Sequence, residues 1–289
     1  MGSLREIKTK ISSVKSTQQI TSAMQMVSTV KLARAQRITE RFRPYQEKVS
    51  ELLTNFLSTD QSITSVFEEE RKVNKVAIVV FSGNMSLCGA FNANVIKEFT
   101  KTTESLSHLS KENIEIYAIG KKITHAVKKL GFKPVFHSDE LANEPTFEEA
   151  VKIADTLMKQ FSEKLIDKVM VIYHHFHSKG SQILTTETFL PFSFHNMREK
   201  EESSHYIDYI VEPSKEEILA DLIPQVVKLK LYACLIESHT SEHAARSIAM
   251  QAATDNADDL LEELSLVYNK SRQQSITNEL LDIIGATFK

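Results

Sequence analysis

The stretch that decides the fold is the N-terminal segment LREIKTKISSVKSTQQITSAMQMVSTVKLARAQ, residues 4–36. One face of this segment is marked by positions that recur at alternating spacings of four and three: Ile7, Ile11, Val14, Gln18, Thr21 and Met24. This spacing is typical of the a/d seam of a coiled coil, here with polar interruptions at Gln18 and Thr21. The segment therefore predicts a long helix that must bury its stripe against a partner.

A second long helix is predicted at the other end of the chain. Between Pro224 and Gly285 there is neither a glycine nor a proline, and Gly285 is expected to end the helix. Apolar positions again step by four and three, at Leu222, Val226, Leu229, Ala233 and Ile236. An alanine-rich stretch follows, which favours helix and lets a neighbouring backbone come close. The simplest prediction is that the two terminal helices bury their stripes on each other.

The charges of the two arms favour an antiparallel pairing. Residues 1–43 carry nine basic and two acidic side chains, whereas residues 242–289 carry four basic and eight acidic ones. The best charge match pairs positions whose numbers add up to roughly 270. Lysines 8, 10 and 15 then face the acidic residues between positions 255 and 263, and Met24 stands opposite Arg246. In this register the helix beyond about residue 267 has no partner.

The middle of the chain alternates between strand and helix patterns. The β-branched run at 75–82 is typical of a buried parallel strand, and further strands are predicted at 114–119 and 168–176. Helices are predicted between them, and 181–190 is expected to return as an antiparallel edge strand. The prediction is an α/β fold, with an antiparallel coiled coil of long N- and C-terminal helices and a central Rossmann-like α/β domain. The predicted segments are 1–57, 73–195 and 211–286.

Composition excludes several classes of protein. No run of 18 apolar residues exists, so no membrane span is expected. The net charge of −3 argues against nucleic acid as the main partner. The N-terminus lacks the apolar core of a secretory signal, which indicates a cytoplasm-like compartment. The two cysteines, Cys88 and Cys234, form no C-x-x-C pair and are interpreted as buried small residues.

Three places in the sequence could hold an active site, but none of them has the residue pattern or the setting that an active site requires. The loop SGNMSLCGA (82–90) has neither G-x-G-x-x-G nor G-K-[ST], so no nucleotide or other cofactor is expected. The segment HTSEH (239–243) matches the H-x-x-E-H pattern of inverted zinc peptidases, but it lies within the long helix and is interpreted as a polar patch. The histidines at 174, 175 and 177 alternate in direction along a strand, so at most two share a face; they are interpreted as a solvated strand end. The alternatives kept open by the residues are a coiled-coil scaffold and a hydrolase built on the α/β domain.

Both ends of the chain resemble one family. The opening stretch 4–36 resembles the first helix of bacterial F-type ATP synthase γ subunits, and SEHAARSIAMQAATDNA (241–257) and LVYNKSRQQSITNELLDII (266–284) resemble their last helix. Two positions depart from the family pattern. The first loop reads Asn84, Met85 and Ser86 where the family usually has Asp-Arg-Gly, and Ala286 stands where the family usually has glycine.

The resemblance implies a rotor without chemistry of its own. The coil would turn inside a ring of α and β subunits, and the α/β domain would lie against an ε subunit and a membrane c ring. The implied location is peripheral, on the cytoplasmic face of the bacterial cell membrane. By position, the resemblance implies that three groups of residues contact other subunits: Met24 and Arg246 at the moving lever of a β subunit; Arg272, Gln273 and Thr277 at the upper β contact; and Tyr209, Glu212 and Pro213 at the foot on the c ring.

Overall fold

The computed structural model describes residues 4–59, 65–192, 211–212 and 214–287. Its helices and strands alternate in the middle of the chain and are flanked by one very long helix at each end. The helices are α1 (Leu4–Thr59), α2 (Phe91–Ser105), α3 (Lys121–Lys129), α4 (Glu140–Asn143), α5 (Phe147–Ser162) and α6 (Lys215–Thr287). The strands are β1 (Val76–Phe81), β2 (Ile114–Ile119), β3 (Phe136–Ser138), β4 (Lys168–Ser178) and β5 (Ser181–Leu190).

The terminal helices continue through residues that the sequence treats as breakers. Helix α1 has 56 residues with Pro44 inside it, and α6 has 73 residues. The hydroxyl of Ser214 accepts a hydrogen bond from the Glu217 N–H at 3.3 Å and so caps the N-terminus of α6. The prediction that Gly285 ends this helix is wrong, because α6 continues to Thr287. A single glycine costs a helix only about 1 kcal/mol, too little to stop it without a left-handed cap.

The predicted open sheet is confirmed. Its five strands follow the order β3-β2-β1-β4-β5, with β1 parallel to both β2 and β4. Strand β5 pairs with β4 in the antiparallel sense, as the sequence predicts for 181–190. Strand β3 and helix α4 were not predicted, because three and four residues are too few to show a hydrophobic period.

Each face of the sheet has its own core. Helices α2 and α3 cover one face, where Phe99 and Ile123 are fully buried. Helix α5 and parts of the two long helices cover the other face, where Leu53, Leu157 and Val227 are fully buried. The sheet and the helices on its two faces therefore form a three-layer α/β structure.

Both cysteines lie inside this structure. Cys88 and Cys234 are buried and are not joined by a disulfide bond, so the interpretation of both as buried small residues is confirmed. Burial raises the pKa of the Cys234 thiol well above its ordinary value, which keeps this thiol protonated.

By packing, the chain forms two compact units. One consists of Met1–Val30 and Arg246–Lys289, and the other of Lys31–Ala245. They are called the coil unit and the sheet unit below. Each long helix contributes to both units. The sequence analysis divides the chain by type of secondary structure into 1–57, 73–195 and 211–286. As a division into domains, this stays a prediction.

Candidate functional site

The seam of the coil unit follows the predicted heptad spacing. Ile7 and Thr21 are buried, and the predicted seam positions between them are half-buried. On α6 after Ala257, the half-buried positions again step by three and four, at Leu261, Leu264, Tyr268, Ser271 and Ser275. Within the coil unit the two helices therefore pack along the stripe that the sequence predicts.

Polar side chains in the seam show the register of this coil. The Thr254 hydroxyl donates to the Thr21 hydroxyl at 2.8 Å, and both side chains are buried. The Thr29 and Ser247 hydroxyls are hydrogen-bonded at 3.0 Å. Residue numbers in these pairs add up to 275 or 276, and they fall on α6 as they rise on α1. The predicted antiparallel sense is confirmed.

The predicted register of about 270 is wrong by roughly five residues. It rests on charge matching, yet in the described coil none of Lys8, Lys10 and Lys15 has an ion pair with an acidic side chain of α6. Solvent-exposed ion pairs contribute little because water screens them and ordering long side chains costs entropy. Hydrogen bonds buried in the seam discriminate more strongly between registers.

The corrected register separates two residues that the sequence placed at one height. Met24 falls opposite position 251 or 252, and Arg246 falls opposite position 29 or 30. The offset is five or six residues, or up to about 9 Å along the helix axis. Met24 is half-buried, whereas Arg246 is 6% exposed.

This register makes a crosslinking prediction. In a background with Cys88→Ala and Cys234→Ala, cysteines at positions 21 and 254 are expected to form a disulfide under mild oxidation, because those side chains already touch. The chain is cleaved by a protease between the two long helices, and non-reducing electrophoresis then measures the yield of the disulfide. Cysteines at 24 and 246 are the matched comparison and should crosslink poorly, and the reverse result would contradict the register.

The end of α6 has exposed apolar side chains. Leu280, Leu281, Ile283 and Ile284 are each more than half exposed. By register, Leu4 stands opposite Ser271, so the stretch without a partner from α1 begins about four residues later than predicted. Solvent-exposed apolar residues on this scale mark a surface that another molecule covers.

The residues implied at the upper contact lie on this end of α6. Arg272, Gln273 and Thr277 are all exposed. The Thr277 hydroxyl donates to the Gln273 backbone carbonyl at 2.9 Å, one turn earlier on the helix. The side chains of Arg272 and Gln273 are accessible to a partner from the surrounding solvent.

The residues implied at the foot are only partly described. Glu212 is exposed and lies just before α6. Tyr209 and Pro213 lie outside the described residues, and the foot stays a prediction for all three positions.

The first loop of the sheet unit is closed by side-chain hydrogen bonds. The Asn84 amide accepts from the Lys121 N–H at 2.8 Å and donates to the Asp139 carbonyl at 2.6 Å. The Gly83 N–H donates to the Asn92 side chain at 2.9 Å. Asn84 thus links the carboxyl ends of three strands, a role that requires both a donor and an acceptor. An aspartate could not donate to Asp139, which gives the unusual residue a physical reason.

The H-x-x-E-H segment is a buried polar part of α6. Glu242 and His243 are each 6% exposed. His239 contacts the Ala142 carbonyl through Nδ1 at 3.1 Å, and its ring stands edge-on to that of His243. A Cβ on Gly83 would lie 2.5 Å from the Glu242 carboxyl carbon, so glycine lets that side chain approach the loop. The segment is a packed contact with the sheet rather than an open cleft.

The three histidines of β4 have different surroundings. His174 is 3% exposed and stacks on Phe91, so the interpretation as a solvated strand end is wrong for this residue. Burial lowers the pKa of His174 to about 4. His175 Nδ1 lies 2.7 Å from a carboxylate oxygen of Glu237, and His177 is exposed. The sequence could not show these differences, because they depend on which helices cover each strand position.

The loop, the H-x-x-E-H segment and the histidines of β4 do not form an arrangement of side chains suited to catalysis. Among residues 4–59, 65–192, 211–212 and 214–287, no group of three or more histidine, cysteine or acidic side chains could hold a metal ion. In the same part of the chain, no helix combines the length and the apolar character needed to cross a bilayer. The most distinctive features of the described chain are instead its two-helix coil and the exposed end of α6.

Sequence comparisons identify relatives along the whole chain. The family profile described as ATP synthase matches residues 3–287. The ATP synthase gamma chain of Bacteroides fragilis is 52% identical over 288 residues and covers 99% of both chains. The ATP synthase gamma chain of Flavobacterium johnsoniae is 43% identical over 286 residues, covering 99% of this chain and 98% of its own.

Solved structures share the fold. A chain of the Euglena gracilis mitochondrial ATP synthase, from a structure of OSCP, F1 and c-ring, has a TM-score of 0.65 at 21% identity, covering 99% of this chain and 93% of its own. A chain of the Tetrahymena thermophila mitochondrial ATP synthase central stalk and c-ring has a TM-score of 0.59 at 22% identity, covering 81% of this chain and 99% of its own. With the full-length relatives above, these findings show that the chain belongs to the ATP synthase γ chain family.

Proposed function

We propose that this chain is the central-stalk rotor of an ATP synthase. It couples proton flow through a membrane c ring to ATP synthesis or hydrolysis on β subunits by rotating. The observation that supports this most directly is the antiparallel coil that ends in an exposed apolar helix. A rotor shaft of this kind combines a rigid two-helix coil with a single-helix end whose apolar side chains must be covered by surrounding subunits.

The chemistry of ATP takes place on other subunits. A γ chain is non-catalytic, and its role is to impose different states on the three β subunits as its asymmetric surface turns. The hydrogen-bonded loop at 82–90 and the packed H-x-x-E-H segment fit this role, since both serve internal contacts. Torque requires a rigid body rather than a reactive group.

The lever contact is proposed for Met24 and Arg246. Both lie in the coil unit, and the register places them up to about 9 Å apart along the axis. A β subunit lever that touches both residues must therefore span nearly two helical turns. A lever that touches only one of the two residues at a time would contact α1 at one point of its movement and α6 at another.

The upper contact is proposed for Arg272, Gln273 and Thr277. Their side chains are exposed on the end of α6, beside apolar residues that need cover. Arginine and glutamine side chains can hydrogen-bond carboxylate or carbonyl groups of a β subunit in one rotary position and release them in the next.

The foot is proposed for Tyr209, Glu212 and Pro213, next to the c ring, with an ε subunit against the sheet unit. This arrangement puts the chain on the cytoplasmic face of the bacterial membrane as a peripheral subunit. Purifying a tagged chain from membranes tests the partners. Recovery of α, β, ε and c subunits is expected, and recovery of none of them would overturn the proposal.

Deleting the end of α6 tests the rotor role. Removing residues 273–289 is expected to lower the ATPase turnover of the assembled complex several-fold, or its yield, because the apolar tip and the upper contact are lost together. Complex yield and steady-state ATP hydrolysis measure the effect. The matched control removes only residues 286–289, which should leave both values near wild type. Full activity after the longer deletion would count against the proposed contact.

A further inference from the structure

The end of helix α3 carries a concentration of positive charge. Between Glu115 and Asp139 the chain has five lysines and no acidic residue, although its net charge is −3. Lys111 lies just before β2, and its ammonium donates to the Leu130 carbonyl at 3.0 Å, which places it beside the end of α3. Four exposed lysines are thus gathered at this end: Lys111, Lys128, Lys129 and Lys133. They are called the lysine corner below.

The folded chain leaves most of this charge without a counter-charge. Among the residues that the structure describes, none of the four lysines forms an ion pair. On α5, by contrast, the Lys152 ammonium lies 2.7 Å from a carboxylate oxygen of Glu149. Glu112, which is also exposed, follows Lys111 and offsets one of the four charges, so the corner keeps a net charge of +3.

Helix stability explains only part of this charge. The C-terminal end of a helix dipole favours a cation, and Lys111 serves this end through the Leu130 carbonyl. The N-terminal end disfavours cations, yet α3 begins with Lys121 and Lys122. Every exposed residue of α3 is a lysine or a histidine. A basic surface along the whole helix, including the end where it is unfavourable, indicates a role in binding.

This surface does not fit a small anion. The N–H groups that open α3 are already used, since the Lys121 N–H donates to the Asn84 side chain at 2.8 Å and the Ile123 N–H to the Ser82 hydroxyl at 3.0 Å. The lysine corner lies at the other end of the helix, where the carbonyl dipoles repel an anion held close to the backbone. Lysines on the outside of a helix instead attract an extended anionic surface.

The choice of lysine indicates which kind of surface. No arginine occurs between Arg71 and Arg198, so the corner is built from lysine alone. Protein–protein interfaces are enriched in arginine and depleted in lysine, because a guanidinium pairs with carboxylates while an ammonium stays strongly hydrated. Hydrated lysines attract a membrane of anionic lipids through a field that needs no fixed contacts. The composition of the corner therefore favours lipid headgroups over an acidic protein.

The lysine corner lies at the amino edge of the sheet, where the parallel strands β1, β2 and β4 begin. Lys111 comes just before β2, and α3 runs back from the carboxyl end of β2. The Val135 N–H, shortly after α3, donates to the carbonyl of Ile116 near the start of β2 at 2.9 Å. Val135 is 59% exposed, so an apolar side chain accompanies the lysines at this edge.

The proposed foot lies toward the same edge. The Ser241 hydroxyl of α6 donates to the carbonyl of His174, in the second half of β4, at 3.2 Å. Earlier in α6, Lys230 pairs with Glu187 of β5, beside the first half of β4. Helix α6 therefore runs from the amino edge toward the carboxyl edge of the sheet. Its start, with Glu212 just before it, lies toward the amino edge.

We propose that the lysine corner is a docking surface for the anionic headgroups of a membrane. The attraction itself is a property of the corner, whereas the orientation of the amino edge toward a membrane rests on the proposed rotor function and its foot. A lipid surface presents a similar field at every angle, because its headgroups are mobile. Attraction to it draws the rotor toward the membrane without favouring one rotary position.

The purified full chain is tested on vesicles with a probe placed beside the corner. Val135→Cys is labelled with a fluorescent dye in a background with Cys88→Ala and Cys234→Ala. The vesicles contain equal parts of phosphatidylcholine and phosphatidylglycerol with some spin-labelled headgroups, which quench the dye when the corner lies on lipid. Quenching is expected at physiological ionic strength and should be absent on phosphatidylcholine alone. No quenching on the mixed vesicles would overturn the proposal.

Two variants of the corner measure its contribution. Each lysine near an anionic surface strengthens binding about fivefold. Lys128→Gln with Lys129→Gln is therefore expected to raise the lipid concentration for half-maximal quenching about 25-fold. Lys133→Gln, outside the helix, should raise it about fivefold and serves if the double variant loses its helical circular dichroism. Unchanged binding in a folded variant would contradict the proposal.

The matched control uses the other end of the same helix. Lys121→Gln with Lys122→Gln makes the same change of charge about 10 Å away along the axis, which is about one Debye length. Its effect should be at most about threefold, because salt screens charges at that distance. Equal effects of the two pairs would show that only net charge matters. A dye on Thr9→Cys reports docking through the basic first helix, and quenching there with none at position 135 would also refute the corner.

The assembled complex separates this proposal from the proposed function. Lys128→Gln with Lys129→Gln should leave the recovery of α, β, ε and c subunits with the tagged chain unchanged. Loss of one of them, with unchanged quenching on vesicles, would assign the corner to a protein partner and overturn the proposal. Lipid-dependent quenching by a chain that recovers none of these subunits would uphold the corner and count against the proposed function.

Discussion

Gly120→Ala is expected to destabilise the sheet unit by about 3 to 5 kcal/mol. Gly120 follows β2 with a φ of 104°, a conformation that L residues rarely adopt. A Cβ at this position would lie 2.2 Å from the backbone carbonyl oxygen of Ser82. That oxygen directly follows β1, so relief would require moving the end of the central strand of the sheet. Urea unfolding, followed through labelling of the buried Cys88 and Cys234 thiols, reports the sheet unit specifically.

Gly180 supplies the matched control for this substitution. It lies in the turn between β4 and β5, and a Cβ there would meet no heavy atom within 4 Å. Gly180→Ala is therefore expected to change the free energy of unfolding by less than about 0.5 kcal/mol. Equal effects of the two substitutions would show that the conformation and close approach at Gly120 do not matter.

The second expected result is a loss of folding stability in acid. Below its ordinary pKa of 6.5, a histidine in the unfolded chain takes up a proton, whereas burial lowers the pKa of His174 in the folded chain to about 4. Because the unfolded chain then binds more protons, stability is lost as the pH falls from about 6.5 to about 4. The difference between the two pKa values corresponds to about 3 kcal/mol.

His174→Phe is expected to remove this loss, because phenylalanine keeps the ring stacked on Phe91 and does not titrate. The free energy of unfolding is measured from pH 7 to pH 4 by urea unfolding followed through circular dichroism. The other titrating groups are common to both proteins, so the difference between the two curves isolates His174. The exposed His177 provides the control, since His177→Phe should leave the pH dependence as in wild type. Parallel curves for His174→Phe and wild type would refute the argument.

Much of the architecture could be predicted because its signals are local and periodic. The heptad spacing from Ile7 to Met24 predicts one arm of the coil, and the breaker-free stretch after Pro224 predicts the other. The β-branched run that forms β1 predicts a buried parallel strand. These patterns repeat over many residues, so errors at single positions do not change the conclusion. By contrast, the three-residue strand β3 is too short for any such signal.

The sequence by itself determined the fold class, the antiparallel coil and, through the stretches at both ends, the family. Only the tertiary structure decided the register, because charge matching among exposed side chains is weak, while the Thr21–Thr254 contact forms only when two distant segments meet. It also decided that His174 is buried while His177 is exposed, since burial depends on which helix covers each strand position. Asn84 shows the same limit: its role exists only because the ends of three strands converge around one side chain.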